Sequence, residues 1–120
     1  MECEVKVRAE GDVTVIDVGG DVDLYTAPRL EEALLQASAA ESPRVVVNLA
    51  RTTYLDSTAL RILTVAQRRL SERQGALAIA CAPGPIARLF GITGLDRVLP
   101  LCATEGEARE RVRAGPSRPS

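Results

Sequence analysis

The period of the apolar residues changes several times along the chain, and each change marks an element. Val5 and Val7 alternate with Lys6 and Arg8, the two-residue period of a half-exposed strand, and Gly11-Asp12 signals a tight turn. A second strand over 13–18 is rich in β-branched residues and is expected to stop at Gly19-Gly20, so the chain opens as a β-hairpin. An acidic loop, Asp21 to Thr26, follows. Over 27–40 the residues Ala27, Leu30, Ala33, Leu34 and Ala37 recur at spacings of three and four, which predicts a helix. Thr26 is its expected N-cap, Pro28 sits in its first turn, and Glu31 and Glu32 are placed well against its dipole.

Ser42-Pro43 ends that helix, and the uninterrupted apolar run over 44–49 predicts a strand buried on both faces. A loop over 50–55 leads to a second helix over 56–73, with Asp56 as N-cap, Ala59, Leu60, Leu63, Ala66 and Leu70 on one face, and Gly75 as the stop. A buried strand over 76–81, a short helix carrying Ile86, Leu89 and Phe90, and a connector at Ile92 to Leu95 come next. Residues 98–101 read as an edge strand, because proline at 100 is tolerated only there. Thr104 and Glu107 have the spacing of a capping box that opens a last helix through about Arg113, and 115–120 is expected to be a disordered tail. The pattern predicts one α/β domain over 1–114, with a mixed central sheet of about five strands and about four helices.

Composition narrows the chemistry. The 15 basic and 16 acidic residues of this 120-residue chain are interspersed, and Tyr25, Tyr54 and Phe90 are the only aromatics, so neither a phosphate-tracking surface nor a base-stacking platform is expected. Histidine is absent, which removes the usual neutral-pH base and the commonest transition-metal ligand. The cysteines, Cys3, Cys81 and Cys102, are far apart and form no Cys-x-x-Cys pair; they read as buried, reduced thiols of a reducing compartment. No secretory leader, membrane-length apolar run or Gly-x-x-x-x-Gly-Lys loop is present in the sequence. The expectation is a cytoplasmic protein, monomeric when free, with no cofactor, no membrane association and no direct nucleic-acid contact.

Asp56-Ser57-Thr58-Ala59-Leu60 is the most informative stretch. It presents a serine at a helix start, where unpaired N–H groups and the helix dipole favour an added oxyanion. Loops at the carboxyl ends of strands carry the binding sites of α/β sheets, so Asp23 and Ser57 are expected on one edge. Aspartate and serine also cap helices without further role, and Asp23 has the ordinary part of a loop cap open to it. Thr58 is either a second acceptor or a residue whose hydroxyl bonds locally to backbone. The arginines Arg61, Arg68, Arg69 and Arg73, with Glu72 among them, read as a solvated helix face.

Several separated segments together resemble the STAS domain, in particular the bacterial anti-sigma factor antagonists. They are Gly20-Asp21-Val22-Asp23 leading into Thr26-Ala27-Pro28-Arg29-Leu30, Val45-Val46-Val47-Asn48-Leu49 with Tyr54-Leu55-Asp56-Ser57, and Ile92-Thr93-Gly94-Leu95. The resemblance spans nearly the whole chain. It implies that Ser57 is phosphorylated by a cognate anti-sigma factor that is also a serine/threonine kinase. Unphosphorylated antagonist then holds that factor and frees a sigma factor, and a phosphatase acting on phosphorylated Ser57 resets the cycle. By the same resemblance Asp23, with Asp56 and Thr58 beside the serine, helps engage the kinase.

Thr58 and Ala59 stand where the family commonly has serine and glycine, and Asn48 stands where it often has aspartate. An alternative keeps the fold without the switch, as a non-enzymatic subunit of a transport or scaffold complex. A hydrolase using Ser57 is disfavoured, because an activated serine needs an adjacent base and the one lysine, Lys6, lies in the opening strand.

Overall fold

The structure, a computed structural model, describes residues 2–115; beyond Gly115 the expected tail lies outside the described residues. The elements follow one another as β1 (Glu4–Glu10), β2 (Val13–Val22), α1 (Ala27–Ala37), β3 (Arg44–Leu55), α2 (Ser57–Glu72), β4 (Ala76–Ala80), α3 (Pro85–Thr93), β5 (Leu101–Cys102) and α4 (Glu105–Arg113). They build one five-stranded sheet in sequence order. The β1–β2 hairpin is antiparallel, and β2, β3, β4 and β5 run parallel through helical crossovers.

The two faces of the sheet differ in the size of their side chains. Ile16, Val18, Val45, Val47, Leu49, Leu77 and Ile79 point to the layer of α1, α2 and α3, where Leu30, Leu63, Leu70 and Phe90 complete the main core. Each such large apolar side chain contributes roughly 1.5–3 kcal/mol on burial. The alternate residues, Val13, Val15, Val46, Ala76, Ala78 and Ala80, face Ala108 and Val112 of α4. The run Val45-Val46-Val47 is therefore buried on both sides, as its lack of alternation predicts.

Because small residues bury little area, α4 depends more on its ends. Thr104 caps its N-terminus by accepting from Glu107 N–H at 3.2 Å. Glu105 then accepts from Asn48 Nδ2 at 3.0 Å and pairs with Arg8, which also holds Asp17 at 2.6 Å and Glu10 at 2.8 Å. At the far end Arg113 pairs with Asp12 at 3.2 Å. Asn48 fits this arrangement where aspartate would not, since a carboxylate there would face Glu105 instead of donating to it.

Several expected boundaries move, each for a local reason. The strand expected to end at Gly19-Gly20 runs on to Val22, because register shifts beside Gly19 and Gly20 let it bend without leaving the sheet. Gly20 takes φ +80°, and the Glu2 carbonyl lies where its Cβ would stand, so only glycine lets the N-terminal segment pass over it. The expected loop over 50–55 is instead the second half of β3, paired with Gly19 to Val22 and fixed by Thr52 Oγ1 donating to the Val18 carbonyl at 2.8 Å.

The first helix stops at Ala37, not 40. The helix with Phe90 continues through Ile92 and Thr93, which were expected in a connector, and stops at Gly94 in the left-handed conformation. The edge strand begins at Leu101, later than expected, and β4 ends one residue early at Ala80. Pro100 offers only its carbonyl, which accepts from Ile79 N–H at 2.8 Å, and Leu99 turns into the core. On the other edge Val5 is half-buried as expected, whereas Val7 is exposed.

The Arg8 and Asn48 hydrogen bonds hold the Glu105 carboxyl below the ordinary glutamate range. A depressed carboxyl stabilises the fold at pH above its unfolded value, and that stabilisation is lost as pH falls through the folded one. Glu105→Gln is expected to cost about 1 kcal/mol at neutral pH. The difference from the wild type should shrink as pH drops below about 4.5. Urea unfolding across pH 3–7 (about four steps suffice) measures this, and a gap independent of pH would count against the pairing.

Candidate functional site

The carboxyl ends of β2 and β3 carry the candidate residues. Val22 pairs with Leu55, and directly after that pair Asp56 N–H donates to the Val22 carbonyl at 3.2 Å. The chain leaving β2 enters the Asp23 loop, and the chain leaving β3 enters α2, so the two segments start from one anchored point. This places the expected acidic loop and serine turn on one edge.

Asp56 is the N-cap of α2, with extended backbone and its Oδ1 accepting from Ala59 N–H at 3.0 Å. Ser57 is the first helical residue and is exposed. Ala59 is fully buried in the main core, so the alanine that stands in the glycine position both packs and favours the helix by roughly 1 kcal/mol over glycine. The helix start is thus a formed structure that displays Ser57. Thr58 is half-buried, and its hydroxyl forms no hydrogen bond among the described residues, contrary to the expected local backbone bond.

Asp23 is the organising residue of the other segment. Its Oδ1 accepts from Tyr25 N–H at 2.9 Å and Thr26 N–H at 3.0 Å, while its own N–H donates to Thr26 Oγ1 at 3.0 Å. The Thr26 hydroxyl lies 3.0 Å from the Asp21 carbonyl and 3.1 Å from Asp23 Oδ1. Thr26 occupies the N-cap position of α1 in helical backbone geometry, and its hydroxyl does not cap that helix; it is committed to the loop. Nor do Glu31 and Glu32 reach the first turn of α1.

The carboxylates here stay ionised. Hydrogen bonds from the Thr26 backbone, then from Tyr25, hold Asp23 below the usual aspartate value, and the 2.5 Å bond from Thr53 Oγ1 does the same for Asp21. Around them the surface is apolar. Tyr25 is 87% exposed, Leu24 62% and Tyr54 52%, with Tyr54 opposite Asp21 in the β2–β3 register. These three were not legible as site residues, because a loop has no period to show which side chains face outward. Exposed tyrosines are the side chains most often found as anchors of protein contacts.

A shallow groove of about 180 Å³, lined by Lys6, Asp17, Gly19, Asn48 and Arg51 among others, includes none of Asp23, Asp56, Ser57 or Thr58. Of the two buried cysteines and half-buried Cys102, each thiol is pushed above its ordinary value by burial. No helix among the described residues is long and apolar enough to cross a membrane.

Comparison with known proteins concerns the chain as a whole. The family model described as Mlab, STAS domain matches residues 5–101. The anti-sigma-B factor antagonist of Listeria monocytogenes is 34% identical over 107 residues, covering 89% of this chain and 93% of that protein. The crystal structure of an anti-sigma factor antagonist from Mycobacterium paratuberculosis superposes with a TM-score of 0.84 at 31% identity, covering 93% of this chain and 95% of the other. The phosphorylated form of the Bacillus cell fate determinant SpoIIAA shares the fold, with a TM-score of 0.68 at 23% identity over 92% of this chain and all of that one.

Asp56→Ala is expected to lower stability by about 1 kcal/mol through loss of the α2 cap, and Asp56→Asn, which keeps an acceptor for Ala59 N–H, by markedly less. Denaturant titrations of the two variants decide it; equal losses would mean that the cap bond does not hold the helix start.

Proposed function

The chain belongs to the STAS domain family, and from that premise we propose that it is an anti-sigma factor antagonist acting by partner switching. The unphosphorylated protein binds a cognate anti-sigma factor and frees a sigma factor. The anti-sigma factor is also a serine/threonine kinase, and phosphorylation of Ser57 releases it. A phosphatase returns the protein to its binding form. In this cycle the chain is a substrate and a ligand, not an enzyme, and it influences transcription without touching DNA.

The observation that carries this reading is an exposed Ser57 on a preformed helix start, flanked by the Asp23 loop and by Tyr25, Leu24 and Tyr54. In the transfer step Ser57 Oγ attacks the γ-phosphorus of ATP, the bond to the ADP oxygen breaks, and the hydroxyl proton passes to a base of the kinase. The hydroxyl is accessible without unfolding. The product carries about −1.5 to −2 charges beside Asp23 and Asp56, and a partner packed closely on this surface must either neutralise them or leave. Losing one to three contacts of roughly 1 kcal/mol each weakens binding about fivefold to about 150-fold. Asp23 positions the loop next to the acceptor, and Thr58 lies beside it on the half-buried side of the helix start.

Affinity capture from host lysate with Ser57→Ala and Ser57→Asp baits tests the proposal. An anti-sigma kinase retained by the alanine form and absent from the aspartate form is the expected result; identical partners on both baits would favour a transport or scaffold subunit instead. Once that kinase is in hand, Tyr25→Ala should weaken its binding by about tenfold or more in calorimetry, as for a central aromatic anchor. Unchanged affinity would move the contact away from the Asp23 loop.

A further inference from the structure

Resting on the reading of Ser57 as a phosphoacceptor, we propose that the phosphate on Ser57 is clasped by Arg61 of the same helix, so that the switch occupies its own cation as it adds charge. Ser57 and Arg61 are four residues apart in α2, and both are exposed. Residues at that spacing share a helix face, and helical side chains lean toward the N-terminus, which lays the Arg61 side chain over the turn that carries Ser57.

Arg61 is available for this. Its guanidinium makes no hydrogen bond or ion pair with any described residue, whereas that of Arg73 further along α2 donates to the carbonyls of Ala39 and Ala40. The four positions that neighbour Arg61 on its helix, Ser57, Thr58, Thr64 and Val65, carry no acid. A carboxylate three or four residues away would pair with a guanidinium on a helix surface; here the position four residues before Arg61 is a serine that becomes anionic only on modification. The planar guanidinium pairs two N–H groups with two phosphate oxygens, a fit that lysine lacks.

The clasp adds a second element to the switch. In the unmodified protein the Arg61 cation stands next to Ser57, open to a carboxylate of the partner. After modification it is turned back onto the phosphate. The partner then meets an added dianion and also loses a cation. The neighbouring carboxylates Asp21, Asp23 and Asp56 act on the phosphate in the opposite sense to Arg61, favouring its protonated form.

The test uses the full chain with phosphoserine installed at position 57 by an expanded genetic code, so that no kinase is needed. Phosphorus NMR follows the second ionisation of the phosphate in the otherwise unaltered chain and in Arg61→Gln, Arg61→Lys and Arg68→Gln backgrounds. Arg61→Gln is expected to raise the phosphate pKa by about half a unit or more, Arg61→Lys by less, and Arg68→Gln, eleven residues from the phosphate, not at all. An Arg61→Gln curve superimposed on the parent, or an equal shift with Arg68→Gln, would overturn the clasp. Because the phosphate is supplied directly, this outcome is separate from whether the cell modifies Ser57, which the paired baits decide.

Discussion

The hydrogen bond from Asp56 N–H to the Val22 carbonyl ties together the two segments on which the candidate site depends. It closes the parallel pairing of β2 and β3 at the point where both strands leave the sheet. β3 reaches that point because β2 bends at Gly19 and Gly20 and keeps a partner for its second half. Without that extension the Asp23 loop and the start of α2 would hang from strands of unequal length, and Ser57 would have no fixed neighbour. A backbone contact therefore sets a side-chain surface.

The sheet divides its work between its faces. The large side chains under α1, α2 and α3 form a core that holds α2 rigidly, with Ala59, Leu60, Leu63, Ala66 and Leu70 all buried. The small side chains under α4 let that helix lie close, and polar contacts at its two ends fix its position. The candidate site stands on α2, the helix that buries more apolar side chains than α4. A surface that must discriminate a phosphorylated from an unphosphorylated state benefits from a support that does not move with it.

Much of this was legible in the sequence because local signals and packing agree. The Asp56 cap opens α2, and Thr104 with Glu107 marks the start of α4, since caps act through nearby backbone. The expected stop at Gly75 is displaced by one residue: Gln74, at φ +59°, takes the left-handed turn, and Gly75 is glycine because the Pro43 carbonyl lies where a Cβ would stand. The second half of β3 was not legible, because its partner is a glycine-bent strand end and Ala50-Arg51-Thr52-Thr53-Tyr54-Leu55 shows no two-residue alternation of apolar and polar side chains. Thr26 misled for a related reason: hydroxyls satisfy whichever backbone groups are nearest, and here those belong to the Asp23 loop. The candidate residues Asp23, Asp56 and Ser57 come from motif and spacing, and their place on one edge of the sheet follows from the fold. The outward faces of Leu24, Tyr25 and Tyr54, and the lack of a side-chain partner for Arg61 among the described residues, emerge only from the fold.

The passage of the N-terminal segment over Gly20 reaches further than the fit of one glycine. Cys3 is buried in the main core, and Arg29 of α1 donates to its carbonyl at 3.0 Å, so residues 2 and 3 form a strap across the strand that feeds the Asp23 loop. The end of α4 lies beside Asp12, at the opposite end of the sheet from Ser57. A tag or fusion joined ahead of Glu2 therefore bears on the candidate site, while one joined after the last helix is carried on the far side of the molecule. The polarity of the sheet thus supplies a handle by which the protein can be tethered, labelled or fused away from the face that carries Ser57.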